Sequence, residues 1–152
     1  MPDIVGRVSN AQVIIQVALL PVESFDDVIS PFRLEQPARL HVLNALVDTG
    51  AQSTCITRTA AERLGLTPIG AIPIQGVSGR SLHNNYLFKI GFSLTKTDEI
   101  GVVTSNLHFL NQPIEGVEFH SGSSDFDVLL GMNVISVGDL TIMRDGRFRF
   151  SF

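Results

Sequence analysis

Apolar residues in this chain come in short alternating runs broken by glycine, proline and aspartate, and this pattern limits the possible folds more than any other property of the sequence. Within residues 13–20, Val13, Ile15, Val17 and Leu19 alternate with Ile14, Gln16, Ala18 and Leu20. A period of two in branched residues is the pattern of a strand, and apolar residues in both sets place it with most of both faces buried. Residues 40–47 make a second strand, 53–56 a short one, and "FDVLLG" at 126–131 a very apolar one, with further strands expected over 101–110 and 117–120. The segment "IGAIPIQGVSGRSLHNNYLFKIGFSL" holds two apolar runs around a tip at Gly76-Val77-Ser78-Gly79, which is how a long hairpin is written. "DLTIMRDGRFRF" is a terminal hairpin turning at Arg144-Asp145-Gly146. The clearest helix is "TAAERLGL", where Thr59 and Glu62 have capping-box spacing and Gly65 suits the left-handed position that ends a helix. The sum is a mainly β fold with one or two short helices and no internal repeat of fixed period.

A chain of 152 residues can bury a core without metals or disulfides and reads as one domain. Its 44% hydrophobic and 17% charged residues belong to a folded chain. Residues 21–38, with Pro21, Pro31 and Pro37 and no periodic face, mark a surface loop or insertion. The net charge is −4 and no Lys/Arg cluster occurs, so nucleic acid and anionic membrane are set aside as partners. The longest apolar stretch, 13–21, is interrupted by Gln16 and falls short of the ~20 residues of a membrane span. It lacks the flanks of a secretory signal, which points to the cytoplasm. Cys55 is the one cysteine and reads as a small core residue. His41, His83, His108 and His120 show no metal-ligand spacing, so neither a metal nor a cofactor is expected.

Against this background, "NALVDTGAQSTCIT" at 44–57 ends an apolar strand on Asp48 and follows it at once with Thr49-Gly50-Ala51. Asp and Gly are ordinary turn residues, and a tripeptide by itself carries no function. Its surroundings must supply the argument. A carboxylate that does chemistry has to be held rigidly and partly shielded from water, and the end of a buried strand does both. Gly50 is expected to take positive φ and to let a substrate chain approach closely.

The order of the pieces resembles the retropepsin-like aspartic proteases, a family that includes retroviral proteases, the protease domain of DNA-damage-inducible ubiquitin-receptor proteins and single-domain bacterial relatives. Asp48-Thr49-Gly50-Ala51 after an apolar strand, the glycine-tipped hairpin, then Leu129-Leu130-Gly131 followed by Met132-Asn133 carry the resemblance, over residues 10–152. It implies a mainly β, single-lobe closed β-barrel with one or two short helices, working as a two-fold homodimer. Asp-Thr-Gly occurs once, whereas aspartic peptidases use two carboxylates, one protonated to polarise the scissile carbonyl and one ionised to take a proton from water. One chain then supplies half a site, and Asp48 would face the partner's Asp48 across the two-fold axis.

The resemblance also distributes roles. Asp48 would be catalytic, in an active-site loop with Thr49, Gly50 and Ala51, and Thr49 would hydrogen-bond to the partner's loop. Residues 74–82 would be the flap, with Gly76, Val77, Ser78 and Gly79 at its tip closing over an extended peptide substrate, and Gln52 would also bind substrate. Leu129, Leu130 and Gly131 would support the loop from behind, and Asn133 would tie a short helix to it. Ala51 has no hydroxyl to stabilise an ionised Asp48, so a mildly acidic optimum of roughly pH 5 to 6 is expected. Gln52, Ser53 and Met132 replace charged residues of the retroviral pattern, both sides of an ion pair being lost together, so substrate preference does not carry over. Cys55 can line a side-chain pocket or simply pack in the core.

Other readings compete at this stage. Gly-x-x-Gly also occurs in nucleotide-clamping loops of KH domains, but here it lacks basic neighbours and flanking helices. Ser78 is not in the Gly-x-Ser-x-Gly elbow of serine hydrolases. A non-catalytic peptide-binding or dimerisation module would keep the same fold, and an unrelated β-barrel or sandwich would use Asp48 merely to cap a turn.

Overall fold

The computed structural model describes residues 2–22, 42–120 and 125–152. The expected loop at 21–38 lies, from residue 23 onward, outside the described residues, as does His41. The elements in order are β1 (Asp3–Arg7), β2 (Ile14–Pro21), β3 (Val42–Val47), β4 (Thr54–Thr57), α1 (Arg58–Arg63), β5 (Gly70–Gly76) and β6 (Gly79–Thr97). There follow β7 (Val103–Phe109), β8 (Ile114–Phe119), β9 (Val128–Leu130), α2 (Met132–Ile135), β10 (Asp139–Ile142) and β11 (Arg147–Ser151). The fold is mainly β with two short helices, as the alternating pattern requires.

The strands form a three-stranded sheet, β1-β11-β10, and a larger sheet in the order β2-β3-β9-β4-β8-β6-β5, with β7 on β6. β2 pairs with β3 on one side and with β6 on the other, through Val17↔Phe92 to Pro21↔Phe88. Two pairings are parallel, β3 with β9 and β4 with β8.

β6 does most to build the core. Tyr86, Phe88, Ile90, Phe92 and Leu94 recur every second residue and are all buried, the first four in one cluster with Val17 and Leu19 of β2 and Leu43 and Ala45 of β3. Burying one such aromatic or branched side chain contributes about 1.5–3 kcal/mol. Phe148 and Phe150 join this cluster from β11, and the rings of Phe92 and Phe150 meet edge-on at 5.6 Å.

The structure moves several boundaries. The cap of α1 is Thr57, whose hydroxyl accepts from the Ala60 N–H at 3.2 Å, and Thr59 lies inside the first turn. β4 runs straight into the helix, so its last hydroxyl reaches the free N–H groups first. Gly65 does end the helix with φ +69°. The strand expected at 117–120 starts earlier, as β8, and β1 was not anticipated at all. A tight turn at Asn10 (φ 51°) and Ala11 (φ 59°) precedes β2, closed by reciprocal backbone bonds between Ser9 and Gln12. Among the described residues, no helix is long and apolar enough to cross a membrane.

Candidate active site

Asp48 stands where β3 stops. β3 runs parallel to β9 in the register Ala45↔Val128, Leu46↔Leu129, Val47↔Leu130, and the Asp48 N–H extends the ladder by donating to the Leu130 carbonyl at 2.9 Å. The chain then folds back, with the Ala51 N–H donating to the Asp48 carbonyl at 3.2 Å and the Gly50 N–H to Asp48 Oδ1 at 2.9 Å. Asp48 is half-buried, while Thr49 and Gly50 are exposed. Among the described residues Oδ2 of Asp48 and the hydroxyl of Thr49 take no hydrogen bond. The acid is therefore held on one side and open on the other.

Gly50 corrects one expectation, because it is not among the positive-φ glycines of the structure. Its small size matters for another reason. A Cβ at position 50 would stand 3.2 Å from Asp48 Oδ1, close enough to crowd the carboxylate that the Gly50 N–H holds.

Behind the loop, α2 and the residue before it make a bracket. The Met132 N–H donates to the Ala51 carbonyl at 2.8 Å and the Asn133 N–H to the Gln52 carbonyl at 3.1 Å. Asn133 Oδ1 accepts both the N–H and the hydroxyl of Thr54, each at 2.8 Å, and its Nδ2 donates to the Glu115 carbonyl at 3.1 Å. The Thr54 hydroxyl in turn accepts the Gly131 N–H at 3.1 Å. A Cβ on Gly131 would collide with the backbone of Ser53, so the close approach of β9 to the loop admits only glycine. Leu130 points into the core at 1% exposure, whereas Leu129 is half-buried on the opposite face, in register with Leu46 and Cys55.

The other candidates lie around this frame. Gln52 and Ser53 are exposed beside it. Cys55 is half-buried, its thiol 3.5 Å from the Ser53 carbonyl, and burial, reinforced by the nearby charge of Asp48, pushes the thiol up from its ordinary value. That disfavours a nucleophilic role. The hairpin of β5 and β6 turns at its expected tip, where Gly76 pairs with Gly79 and Gly79 takes φ +119°. Val77 is fully exposed there and Ser78 is exposed beside it. Among the described residues no hydrogen bond joins this tip to residues 48–52. Likewise, no group of three or more His, Cys, Asp or Glu side chains among them could hold a metal. Thr54 was missed at the level of sequence, although a threonine closing the run after "DTGAQS" was the available signal.

A family model described as "Aspartyl protease" matches residues 38–134, from before β3 into α2, which is well over half of the chain. Among solved structures, the fold is similar to a retropepsin-like aspartic protease from Rickettsia conorii, with a TM-score of 0.54 and 13% identity over 97% of this chain and 89% of that one. The retroviral protease-like domain of Ddi1 from Leishmania major also matches, with a TM-score of 0.35 and 14% identity over 88% of this chain and 83% of that one. No curated protein matches the sequence.

Proposed function

The chain belongs to the aspartyl protease family, with a fold like that of its retropepsin-like members, and from that premise we propose that it is a single-domain aspartic endopeptidase working as a two-fold homodimer. Asp48 of each protomer supplies one of two carboxylates. The ionised one takes a proton from water as the oxygen attacks the scissile carbonyl carbon, and the protonated one donates to the carbonyl oxygen. Return of a proton to the amide nitrogen then breaks the C–N bond and releases amine and acid. Two carboxylates held this close share one proton, so the pair acts as a unit.

The observation that carries this reading is the state of Asp48: half-buried, with Oδ1 fixed by the Gly50 N–H and its other side open. Thr49 is exposed, which leaves its hydroxyl free for a second loop, and exposed Val5 on β1 adds apolar surface to the terminal sheet. The pairings from β2 through β3, β9, β4, β8 and β6 return to β2, which supports a closed barrel. In this reading residues 74–82 are the flap over an extended peptide, and Gly76 to Gly79 with Gln52 contact its backbone. With a methyl group at Ala51, the optimum is expected at roughly pH 5 to 6.

Digestion of a diverse peptide mixture between about pH 4 and 7, with the natural sequence and Asp48→Asn compared by mass spectrometry, tests the proposal. Cleavage that vanishes in the variant supports it. Identical behaviour of two folded proteins would leave a peptide-binding or dimerisation module instead.

A further inference from the structure

Among the described residues Glu118, in β8, is the one charged side chain in the core, with 1% exposure. A carboxylate removed from water survives there only if both oxygens are paired. Oε1 accepts from Arg58 Nε at 3.1 Å and Nη2 at 2.8 Å, and Oε2 accepts from the Tyr86 hydroxyl at 2.7 Å and Asn84 Nδ2 at 3.3 Å. The Glu118 carbonyl lies 2.9 Å from His83 Nδ1, whose Nε2 lies 2.7 Å from the Ser81 hydroxyl.

The position of these partners in the fold is informative. The β6–β8 ladder runs from Phe88↔Ile114 to Asn85↔Val117 and ends there, and β6 continues from Asn85 toward the tip paired with β5. Glu118 is the residue just past the last rung, where the hairpin leaves the sheet. Its partners His83, Asn84 and Tyr86 are at the root of the hairpin, and Ser81, reached through His83, lies just beyond it. On its other flank β8 pairs with β4, Ile56 opposite Glu118, and Arg58 opens α1 straight after β4, the strand that leaves the Asp48 loop. Beyond the root the hairpin is exposed nearly throughout β5 and from Gly79 to Leu82 of β6. With so little packed against it, the direction in which it projects is decided at the root.

We infer that Glu118 is a positioning residue: its carboxylate clasps the root of the glycine-tipped hairpin to the start of α1 and so sets where the hairpin stands relative to the Asp48 loop. The consequence for cleavage rests on the peptidase reading, whereas the consequence for the order of the hairpin does not.

The test uses the full chain with Glu118→Gln and Tyr86→Phe, the latter removing a single hydroxyl should the former fail to fold. Hydrogen–deuterium exchange is read for residues 70–85 and for β2, β3 and β9, and kcat and KM are measured on a peptide found in the digestion experiment. Exchange in the hairpin is expected to accelerate about tenfold in Glu118→Gln and about threefold in Tyr86→Phe, with the core strands unchanged. kcat/KM should fall by about the same factors. A uniform acceleration over hairpin and core would reduce Glu118 to a general stabiliser and overturn the inference, as would an unchanged hairpin or an unchanged kcat/KM in a variant whose hairpin has loosened. A natural sequence without peptidase activity would contradict the proposed function instead, and the exchange pattern would still decide whether Glu118 orders the hairpin.

Discussion

The backbone N–H and the hydroxyl of Thr54 both donate to one side-chain oxygen of Asn133, each at 2.8 Å, across 79 residues of sequence. Because the same hydroxyl accepts the Gly131 N–H, this short relay holds the exit of the Asp48 loop, the end of β9 and the start of α2 in one arrangement. Thr54→Val keeps the shape but leaves the buried Gly131 N–H without an acceptor. The expected loss is about 1–3 kcal/mol of stability in urea unfolding. If the Thr54→Val protein is as stable as the natural one, the relay does not hold the loop.

Gly131→Ala is expected to be worse than its one added methyl suggests. The obstacle is the Ser53 backbone rather than a side chain that can turn aside, so β9 or the loop must move. A cost of about 1–3 kcal/mol is expected from such overpacking. The companion change Gly116→Ala meets the Phe88 ring instead, and comparing the two by thermal unfolding separates backbone from side-chain relief.

Ala11→Gly should stabilise the protein. Ala11 is held at φ 59°, a region that costs an alanine but not a glycine, and it follows Asn10, which tolerates the same region. A net gain of about 0.5–1 kcal/mol is expected after allowing for the greater freedom of glycine in the unfolded chain. Denaturant unfolding checks the sign, and a loss of stability would contradict the strain.

Glu118 gives the fold a pH dependence. Burial pushes its carboxyl up, but the bonds from Arg58 and Tyr86, the charge of Arg58 and the bond from Asn84 together outweigh burial and hold it below its ordinary value of 4.5. A carboxyl lowered on folding adds stability that is fully present above the unfolded value and is lost as pH falls through the folded one. The stability difference between the natural protein and Glu118→Gln should therefore shrink as pH falls below about 4.5, His120, with Nε2 3.9 Å from Glu118 Oε1, being the other titratable group beside it. The proposed optimum of roughly pH 5 to 6 lies above that window, where the clasp is intact. A difference that does not change with pH would show that the charge of Glu118 is not what its partners recognise.

Much of this was legible in the chain because it is local. Alternation in Val13, Ile15, Val17 and Leu19 marks a strand, paired glycines at 76 and 79 specify a turn, and an acid ending an apolar strand marks Asp48. What was missed depends on partners far away in sequence. Nothing near Thr54 announces Asn133, nothing near Glu118 announces Arg58 or Tyr86, and β1 is a short half-exposed strand that forms because β11 pairs with it from Asp3↔Ser151 to Arg7↔Arg147. The helix cap slipped from Thr59 to Thr57 because both threonines have suitable chemistry and only the path of β4 chooses between them. Gly50 does not take the positive φ expected of it, and its missing Cβ, which would crowd Asp48 Oδ1, is a fact that only the folded loop reveals.

In the proposed homodimer one chain carries half a catalytic site, and Asp48 is completed by its partner copy. Peptide cleavage per chain, followed through a dilution series alongside sedimentation to give the fraction of dimer, tests it most directly. Activity per chain is expected to fall in step with that fraction and to disappear in the monomer, and added Asp48→Asn protein is expected to suppress the natural protein by forming mixed pairs. Activity per chain that stays constant when the protein is fully monomeric would contradict it.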